Sequence, residues 1–203
     1  MTLSTAQFVH LNVHTEFSIV DGLVRVEELI KTVRTLEMPA VAVTDHANLF
    51  AMIKFYSEAL SQGIKPICGC DVLIENPERP DRPHAITLLV RNLEGYRNLT
   101  RLISMSYTDK VGHGEPTLRR KWLQQHADGL IVLSGGIHGD IGRALVDGDR
   151  PAALKALAWW MNLFPHSFYL SVSRIGRPGE EAYIQAAVLL SADTDCPLVA
   201  VSE

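Results

Sequence analysis

The sequence predicts an α/β protein built as a closed or nearly closed barrel. Short runs of buried apolar residues alternate with amphipathic helical stretches along the whole chain. This alternation is typical of parallel α/β folds, in which a helix returns the chain for the next strand. Seven predicted strands, with no signal for a reversal of direction, favour a barrel over an open sheet.

The strands are predicted from short apolar runs. The first run alternates apolar residues with His10, Asn12 and His14, so that one face is apolar and the other is polar. The second run is apolar on both faces, as a buried parallel strand is. The predicted strands cover residues 9–14, 40–44, 65–74, 85–90, 130–133, 168–172 and 198–201.

The helices are predicted from apolar residues that recur at helical spacing. Pro39 ends the first helix, Pro151 suits the first turn of a later one, and the proline-rich stretch 77–83 is a loop. The predicted helices cover residues 24–38, 49–62, 95–107, 122–125, 139–146, 151–164 and 180–192.

Composition sets broad bounds on the function. The 203 residues are 47% hydrophobic and 21% charged, and a formal charge of −4 gives no general attraction to nucleic acid. Three cysteines without a disulfide pattern and the absence of a long apolar run predict a cytoplasmic protein without a membrane span. We predict a single domain over residues 1–203. Because the last apolar strand lacks a covering helix, we expect this domain to be an N-terminal fragment of a longer protein.

Polar side chains follow several of the predicted strands. In a parallel barrel, the carboxyl ends of the strands meet at one rim, so these side chains are expected to converge. Imidazole and carboxylate groups together suit zinc, manganese or iron, and such clusters hydrolyse phosphoesters. The residues at these ends are Asn12, His14, Asp45, His46, Asp71, Gly135, Gly136 and Glu203.

The candidate metal site has visible gaps. Asn12 is a poor ligand for such ions, and Gly136 offers no side chain. Ala85 opens the fourth strand, and the neighbouring His84 lies one residue out of step, so that it should face the other side of the sheet. Two interpretations therefore remain open for His14 and His46: metal ligands, or hydrogen-bonded remnants of a former site.

Several motifs resemble the PHP (polymerase and histidinol phosphatase) family, and within it the N-terminal domains of bacterial polymerase III alpha subunits. The principal motifs are residues 10–15 (His-Leu-Asn-Val-His-Thr), Asp21-Gly22, Thr44-Asp45-His46 and Gly69-Cys70-Asp71. Supporting stretches are residues 38–45, 54–56, 63–67, 94–99, 133–136 and 176–178. The resemblance covers essentially the whole chain, and it implies a distorted seven-stranded TIM-like (β/α) barrel.

The resemblance also implies a ligand set, which in metal-binding members comprises nine residues and holds up to three ions. His14, Asp21 and His46 match ligand positions, Asp71 stands in place of glutamate, and Glu203 stands in place of aspartate. Asn12, Ala85 and Gly136 stand at lost ligand positions. We therefore expect no trinuclear centre and no catalytic residue, and at most one weakly bound divalent ion (zinc, manganese or magnesium).

By the same resemblance, the expected function is that of a degenerate PHP domain. Such a domain stabilises the replicative DNA polymerase, a nucleotidyltransferase, and docks the proofreading exonuclease subunit of the holoenzyme. DNA would be bound by the rest of the polymerase rather than by this domain. The alternative is a metal-dependent phosphoesterase that retains activity as a 3′-5′ exonuclease or a pyrophosphatase. A free-standing histidinol-phosphate phosphatase is disfavoured by the same lost ligands.

Overall fold

The computed structural model describes residues 8–19, 21–109 and 114–202. In these ranges, strands and helices alternate along most of the chain. The strands are β1 (Ala40–Val43), β2 (Lys65–Ile74), β3 (His84–Val90), β4 (Thr117–Leu118), β5 (Leu130–Leu133), β6 (Phe168–Val172) and β7 (Leu198–Ala200). The helices are α1 (Val26–Thr35), α2 (Met52–Ser61), α3 (Leu93–Thr108), α4 (Arg120–Gln125), α5 (Asp140–Val146), α6 (Arg150–Leu163) and α7 (Glu180–Thr194), with a 3-10 turn at Gly136–His138.

The strands form one curled, mixed sheet that makes a half-barrel. Its order is β1-β2-β3-β5-β6-β7, with β4 paired to β2. Strand pairs β1/β2, β5/β6 and β6/β7 are parallel, whereas β3 runs antiparallel to both β2 and β5. The predicted TIM-like α/β fold class is confirmed, but the expectation that no strand reverses direction was wrong.

The reversal at β3 follows from the connection that precedes it. Strand β2 ends at Ile74 and β3 begins at His84, with the proline-rich loop and no helix between them. A parallel neighbour needs a crossover of a dozen or more residues, whereas an antiparallel neighbour needs only a turn. The short loop therefore produces a hairpin, in which Cys70 lies opposite Leu88.

The first predicted strand is not a strand in the structure. Residues 9–14 lie beside β1, where the carbonyl groups of His10 and Val13 accept hydrogen bonds from Ala42 and Thr44 at 2.8 and 2.9 Å. The two acceptors are three residues apart, which does not fit the two-residue repeat of a strand ladder. The segment therefore follows β1 irregularly, and Asn12 is buried although the alternation predicted a polar face.

Two apolar layers stabilise the sheet. On one side, α1 and α2 pack against β1 through residues such as Ile30, Val41 and Phe55, which are fully buried. A larger cluster joins β2, β3 and β5 to α3, α4 and α6, with Leu88 and Trp160 at its centre. Removing such side chains from water is the main favourable term in folding. In the described ranges, no helix is long and apolar enough to cross a membrane.

Candidate functional site

The candidate residues line a cleft of about 890 Å³. His14 and Asp21 come from the N-terminal segment, His46 follows β1, and Asp71 lies in β2. The structure therefore brings together these four predicted residues. Glu203, the fifth, lies outside the described residues.

The loop that carries Asp21 is fixed by a buried carboxylate. Asp45, only 1% exposed, accepts hydrogen bonds from the backbone N–H of Thr15 at 2.6 Å and from its hydroxyl at 2.8 Å. Burial raises the pKa of Asp45, and the two hydrogen bonds from Thr15 oppose this rise. Gly22 closes the loop, because a Cβ there would lie 1.7 Å from the Thr15 carbonyl oxygen. The loop therefore depends on residues that contact one another and not on a ligand.

Asp71 is the acceptor at the centre of the cleft. The Asn12 amide donates to its Oδ2 at 2.8 Å and its Oδ1 at 3.1 Å, and the Thr87 hydroxyl donates to Oδ1 at 2.6 Å. The Nε2 atom of His14 lies 2.8 Å from Oδ2. Both carboxylate oxygens are therefore satisfied by protein donors on three sides.

His14 bridges two carboxylates. Its Nδ1 lies 2.9 Å from Asp21 Oδ2, while its Nε2 contacts Asp71. Burial lowers the pKa of His14, but the hydrogen bonds and negative charges of Asp71 and Asp21 outweigh burial and raise this pKa to about 9. His14 is therefore a cation at neutral pH, held between two anions.

Asp21 is ionised in this arrangement. Partial burial raises its pKa, but the Ser18 hydroxyl, which donates at 2.7 Å, and the charge on His14 outweigh this and lower the pKa of Asp21. The Ser18 hydroxyl also accepts a long hydrogen bond of 3.4 Å from the backbone N–H of His46. Ser18 thus connects the N-terminal loop to the segment after β1.

Comparison of the sequence with models of known protein families shows which family this chain belongs to. The model of the PHP domain matches residues 10–175, which is most of the chain. The chain belongs to the PHP domain family. This PHP domain is 46% identical over 199 residues to DNA polymerase III subunit alpha of Pseudomonas aeruginosa and 40% identical over 201 residues to that of Escherichia coli. These matches cover 98% and 99% of the chain but only 17% of each relative, at its N-terminal end.

Solved structures support the fold. A candidate metal-dependent phosphoesterase from Bifidobacterium adolescentis superposes with a TM-score of 0.61 at 12% identity, covering 97% of this chain and 87% of that one. A two-domain protein from Bacteroides vulgatus, which contains a predicted PHP-like metal-dependent phosphoesterase, gives 0.58 at 12% identity, covering 96% and 50%. At this low identity, the likeness supports the shared fold alone.

The residues of this PHP domain do not suit the metal centre that the family resemblance implies. Both ring nitrogens of His14 contact carboxylates in this structure, so neither nitrogen is directed at an open position. The Asn12 amide nitrogen, a donor that cannot bind a cation, contacts the carboxylate of Asp71 at 2.8 Å. Within the described residues, no three His, Cys, Asp or Glu side chains are arranged to hold a metal ion. The expectation of at most one weakly bound ion stays a prediction.

Two of the lost ligand positions, Ala85 and Gly136, lie where β3 meets the turn after β5. A Cβ on Gly135 would lie 2.0 Å from the Ala85 carbonyl oxygen, so the loop after β5 approaches β3 closely. Gly136 has φ +53°, a conformation that side chains rarely adopt, and its N–H donates to Ser171 Oγ at 3.0 Å. Ala85 lines the cleft, while His84 faces a different cleft, as the strand pleat predicted.

The sequence interpretation missed two of the residues that organise the site. Thr87 lies two residues after Ala85 and therefore on the same face of β3, a signal that the two-residue period of strands could have provided. No sequence pattern predicts the role of Ser18, because the path of the loop determines that its hydroxyl contacts Asp21 and the backbone N–H of His46. Arg143 and Arg177 also line the cleft, from α5 and from the loop before α7.

Proposed function

We propose that the chain is the N-terminal PHP domain of a bacterial polymerase III alpha subunit and that it acts as a structural domain rather than as a phosphoesterase. The observation that carries this proposal is the protein-only network around Asp71. An amide, a hydroxyl and an imidazole all contact the Asp71 carboxylate and together satisfy both of its oxygens. The chain spans only 17% of the length of the relatives it matches. The activity of the whole protein, DNA-directed polymerisation, is therefore part of the same proposal. So are the remaining holoenzyme partners and a cytoplasmic location.

The network supports a scaffolding role in physical terms. In a metal centre, a cation neutralises the carboxylates that crowd around it. Here the positive charge of His14 lies between Asp21 and Asp71 and provides this neutralisation. The N-terminal segment is thereby attached to β2 through side-chain contacts of Asn12 and His14 with Asp71. A domain held in this way keeps its shape whatever the metal concentration, which suits a scaffold.

The proposed partner is the proofreading exonuclease subunit, and helix α2 is the proposed contact surface. Helix α2 buries Met52 and Phe55 on its inner face. Its outer face exposes Ile53 (81%), Tyr56 (48%) and Leu60 (54%), which recur at helical spacing. The outer face of a surface helix is normally polar, so an apolar outer face indicates a surface that a partner covers. The name of the relatives, which describes a subunit, also supports assembly with other chains.

Docking is tested by titrating the purified exonuclease subunit against the protein. We expect saturable binding that Ile53→Lys weakens at least tenfold, because the substitution places a charge within an apolar contact. Leu189→Lys, on the exposed side of α7, is the matched control and should bind like the unmodified protein. Absence of binding at high micromolar concentration, or equal binding by Ile53→Lys, would count against this surface.

One observation favours the alternative, an active metal-dependent phosphoesterase. His14, Asp21, His46 and Asp71 all line one cleft large enough for a phosphoester. The two functions are separated by assaying hydrolysis of bis-p-nitrophenyl phosphate with manganese and with zinc. We expect no hydrolysis above that of the Asp71→Ala variant. Metal-dependent turnover that disappears in Asp71→Ala would support the phosphoesterase instead.

A further inference from the structure

A second cleft of about 800 Å³ lies between the loop after β2 and helices α4, α5 and α6. It shares Arg143 and His138 with the first cleft, so the two clefts meet at α5 and the turn before it. The other basic residues that line it include Arg79, Arg82 and Arg120. None of these residues belongs to the network around Asp71.

The loop of this cleft has an ordered backbone. The side-chain oxygen of Asn76 accepts hydrogen bonds from the N–H groups of Glu78 and Arg79, both at 3.2 Å. The N–H of Arg82 donates to the Arg79 carbonyl at 2.9 Å, which closes a turn. The Asn76 amide donates in return to the Arg82 carbonyl at 3.2 Å. Asn76 therefore fixes the backbone positions from which Arg79 and Arg82 extend.

Arg143 joins these two arginines. Its guanidinium donates to the Arg82 carbonyl at 3.1 Å. Burial lowers the pKa of Arg143, and the positive charges of Arg82 and Arg79 lower it further, while Asp140 and Asp147 oppose this. In the described part of the chain, no carboxylate lies within ion-pairing distance of any of the three guanidinium groups. The three guanidinium groups thus lie near one another without a direct ion pair in the described residues.

A neighbouring polar atom also lacks a partner. The Nδ1 atom of His84 is buried at this cleft and makes no hydrogen bond in the described structure. Leaving a buried polar atom without a hydrogen bond costs about 1–3 kcal/mol, so such atoms are usually satisfied by water or by a ligand. Arg120, by contrast, is paired with Asp140 at 2.7 Å and lies over Trp159. Among the described residues, the side of the cleft formed by Arg79, Arg82 and Arg143 therefore combines the unpaired Nδ1 atom of His84 with guanidinium groups that have no ion pair.

We propose that this cleft binds a compact oligophosphate anion, such as inorganic pyrophosphate or the phosphate chain of a nucleotide, through Arg79, Arg82 and Arg143. The planar guanidinium group matches the oxygens of a phosphate, and several guanidinium groups together match its multiple charges. Acidic residues Glu78, Asp147 and Asp149 flank the three arginines. This confines the positive potential to a small region, which suits a compact anion better than the extended backbone of a polynucleotide.

The test is isothermal titration calorimetry of the protein with inorganic pyrophosphate, without added metal. We expect saturable binding with one site per chain and a Kd that rises at least tenfold in Arg82→Ala. Arg82 is exposed, so this variant should fold normally, and a cooperative thermal transition verifies that it does. Arg82→Lys keeps the charge but loses the fork geometry and should bind with intermediate affinity.

The control is Arg101→Ala, because Arg101 is an exposed arginine on α3 that does not line the cleft. This control should bind pyrophosphate like the unmodified protein. A second titration with a nucleoside triphosphate distinguishes free pyrophosphate from a nucleotide as the preferred source of the phosphates. No saturable binding of either probe, an equal loss in Arg101→Ala, or binding of a thymidine oligonucleotide but not of pyrophosphate would overturn the proposal.

Discussion

The two clefts of this PHP domain differ in whether their charged side chains have partners of opposite charge. In the first cleft, each charged group of the network has a protein partner: His14 lies between Asp21 and Asp71, and Asp71 also accepts from Asn12. In the second cleft, Arg82 and Arg143 have no carboxylate partner in the described structure. Both clefts have similar volumes, so size does not distinguish them.

The difference indicates what each cleft can do. A polar cluster whose donors and acceptors satisfy one another gains nothing from a ligand and contributes to stability instead. A cluster of like charges destabilises the folded state slightly and gains from an anion. Removing a charged side chain from the first cleft should therefore lower the stability of the protein. Removing one from the second cleft should lower only the affinity for an anion.

The largest effect is expected from Asp71→Ala. This change removes the acceptor that the Asn12 amide, the Thr87 hydroxyl and His14 Nε2 share, and leaves the Asn12 amide only its 3.2 Å hydrogen bond to Thr87 Oγ1. We expect the free energy of unfolding to fall by about 3 kcal/mol in denaturant titrations. Asp109→Ala, which breaks an exposed pair with Arg119, should cost less than about 1 kcal/mol. Equal losses in the two variants would remove the distinction between a network and a surface ion pair.

The next largest effect is expected from Asn12→Asp. The substitution turns a donor into a carboxylate about 3 Å from Asp71, so that two negative charges repel each other. We expect a loss of about 2 kcal/mol without metal, larger than that of Asn12→Ala, which removes the donor but adds no charge. Thermal unfolding of the two variants measures the difference. A loss in Asn12→Ala as large as that in Asn12→Asp would show that packing, not charge, matters at this position.

The charge on His14 also makes the stability of the protein depend on pH. Because the folded-state pKa of His14 is raised to about 9 from an ordinary value of 6.5, its contribution to stability is complete below about pH 6.5. This contribution is lost as pH rises through about 9. The unfolding free energy of the unmodified protein should therefore fall more steeply between pH 7 and pH 10 than that of His14→Gln. Parallel curves for the two proteins would contradict the two ion pairs of His14.

The smallest effect on stability is expected from Arg82→Ala. Because Arg82 is exposed and has no ion pair in the described ranges, its removal leaves no partner unsatisfied and relieves repulsion with Arg143. The free energy of unfolding should change by no more than about 0.5 kcal/mol. A loss comparable with that of Asp71→Ala would mean that the second cleft is also a self-satisfied network.

Much of the fold could be predicted from periodicity, because burial of one helix face or of a whole strand leaves a pattern in the sequence. The helix predicted at 151–164 and the strand predicted at 168–172 lie within one residue of α6 and β6. Periodicity does not report strand direction, so the antiparallel β3 was missed. The missing helix between Ile74 and His84 was the available signal for it. The two-residue strand β4 is too short to leave a pattern.

The sequence predicted which residues lie at the first cleft, but not which hydrogen bonds they form there. Asp21, His46 and Asp71 were expected to join His14 at one cleft, and the structure places them there. The sequence could show that Asn12 is a poor ligand, but not that its amide nitrogen would donate to Asp71. That contact depends on the irregular path of residues 9–14 beside β1, which the alternating pattern described wrongly as a strand.

We propose that protein donors take the place of metal ions at the first cleft. Elemental analysis after loading with manganese and zinc, followed by removal of free metal, tests it most directly. We expect less than one ion per chain, and the same result for Asp71→Ala. Two or three tightly held ions per chain, lost in Asp71→Ala, would contradict it.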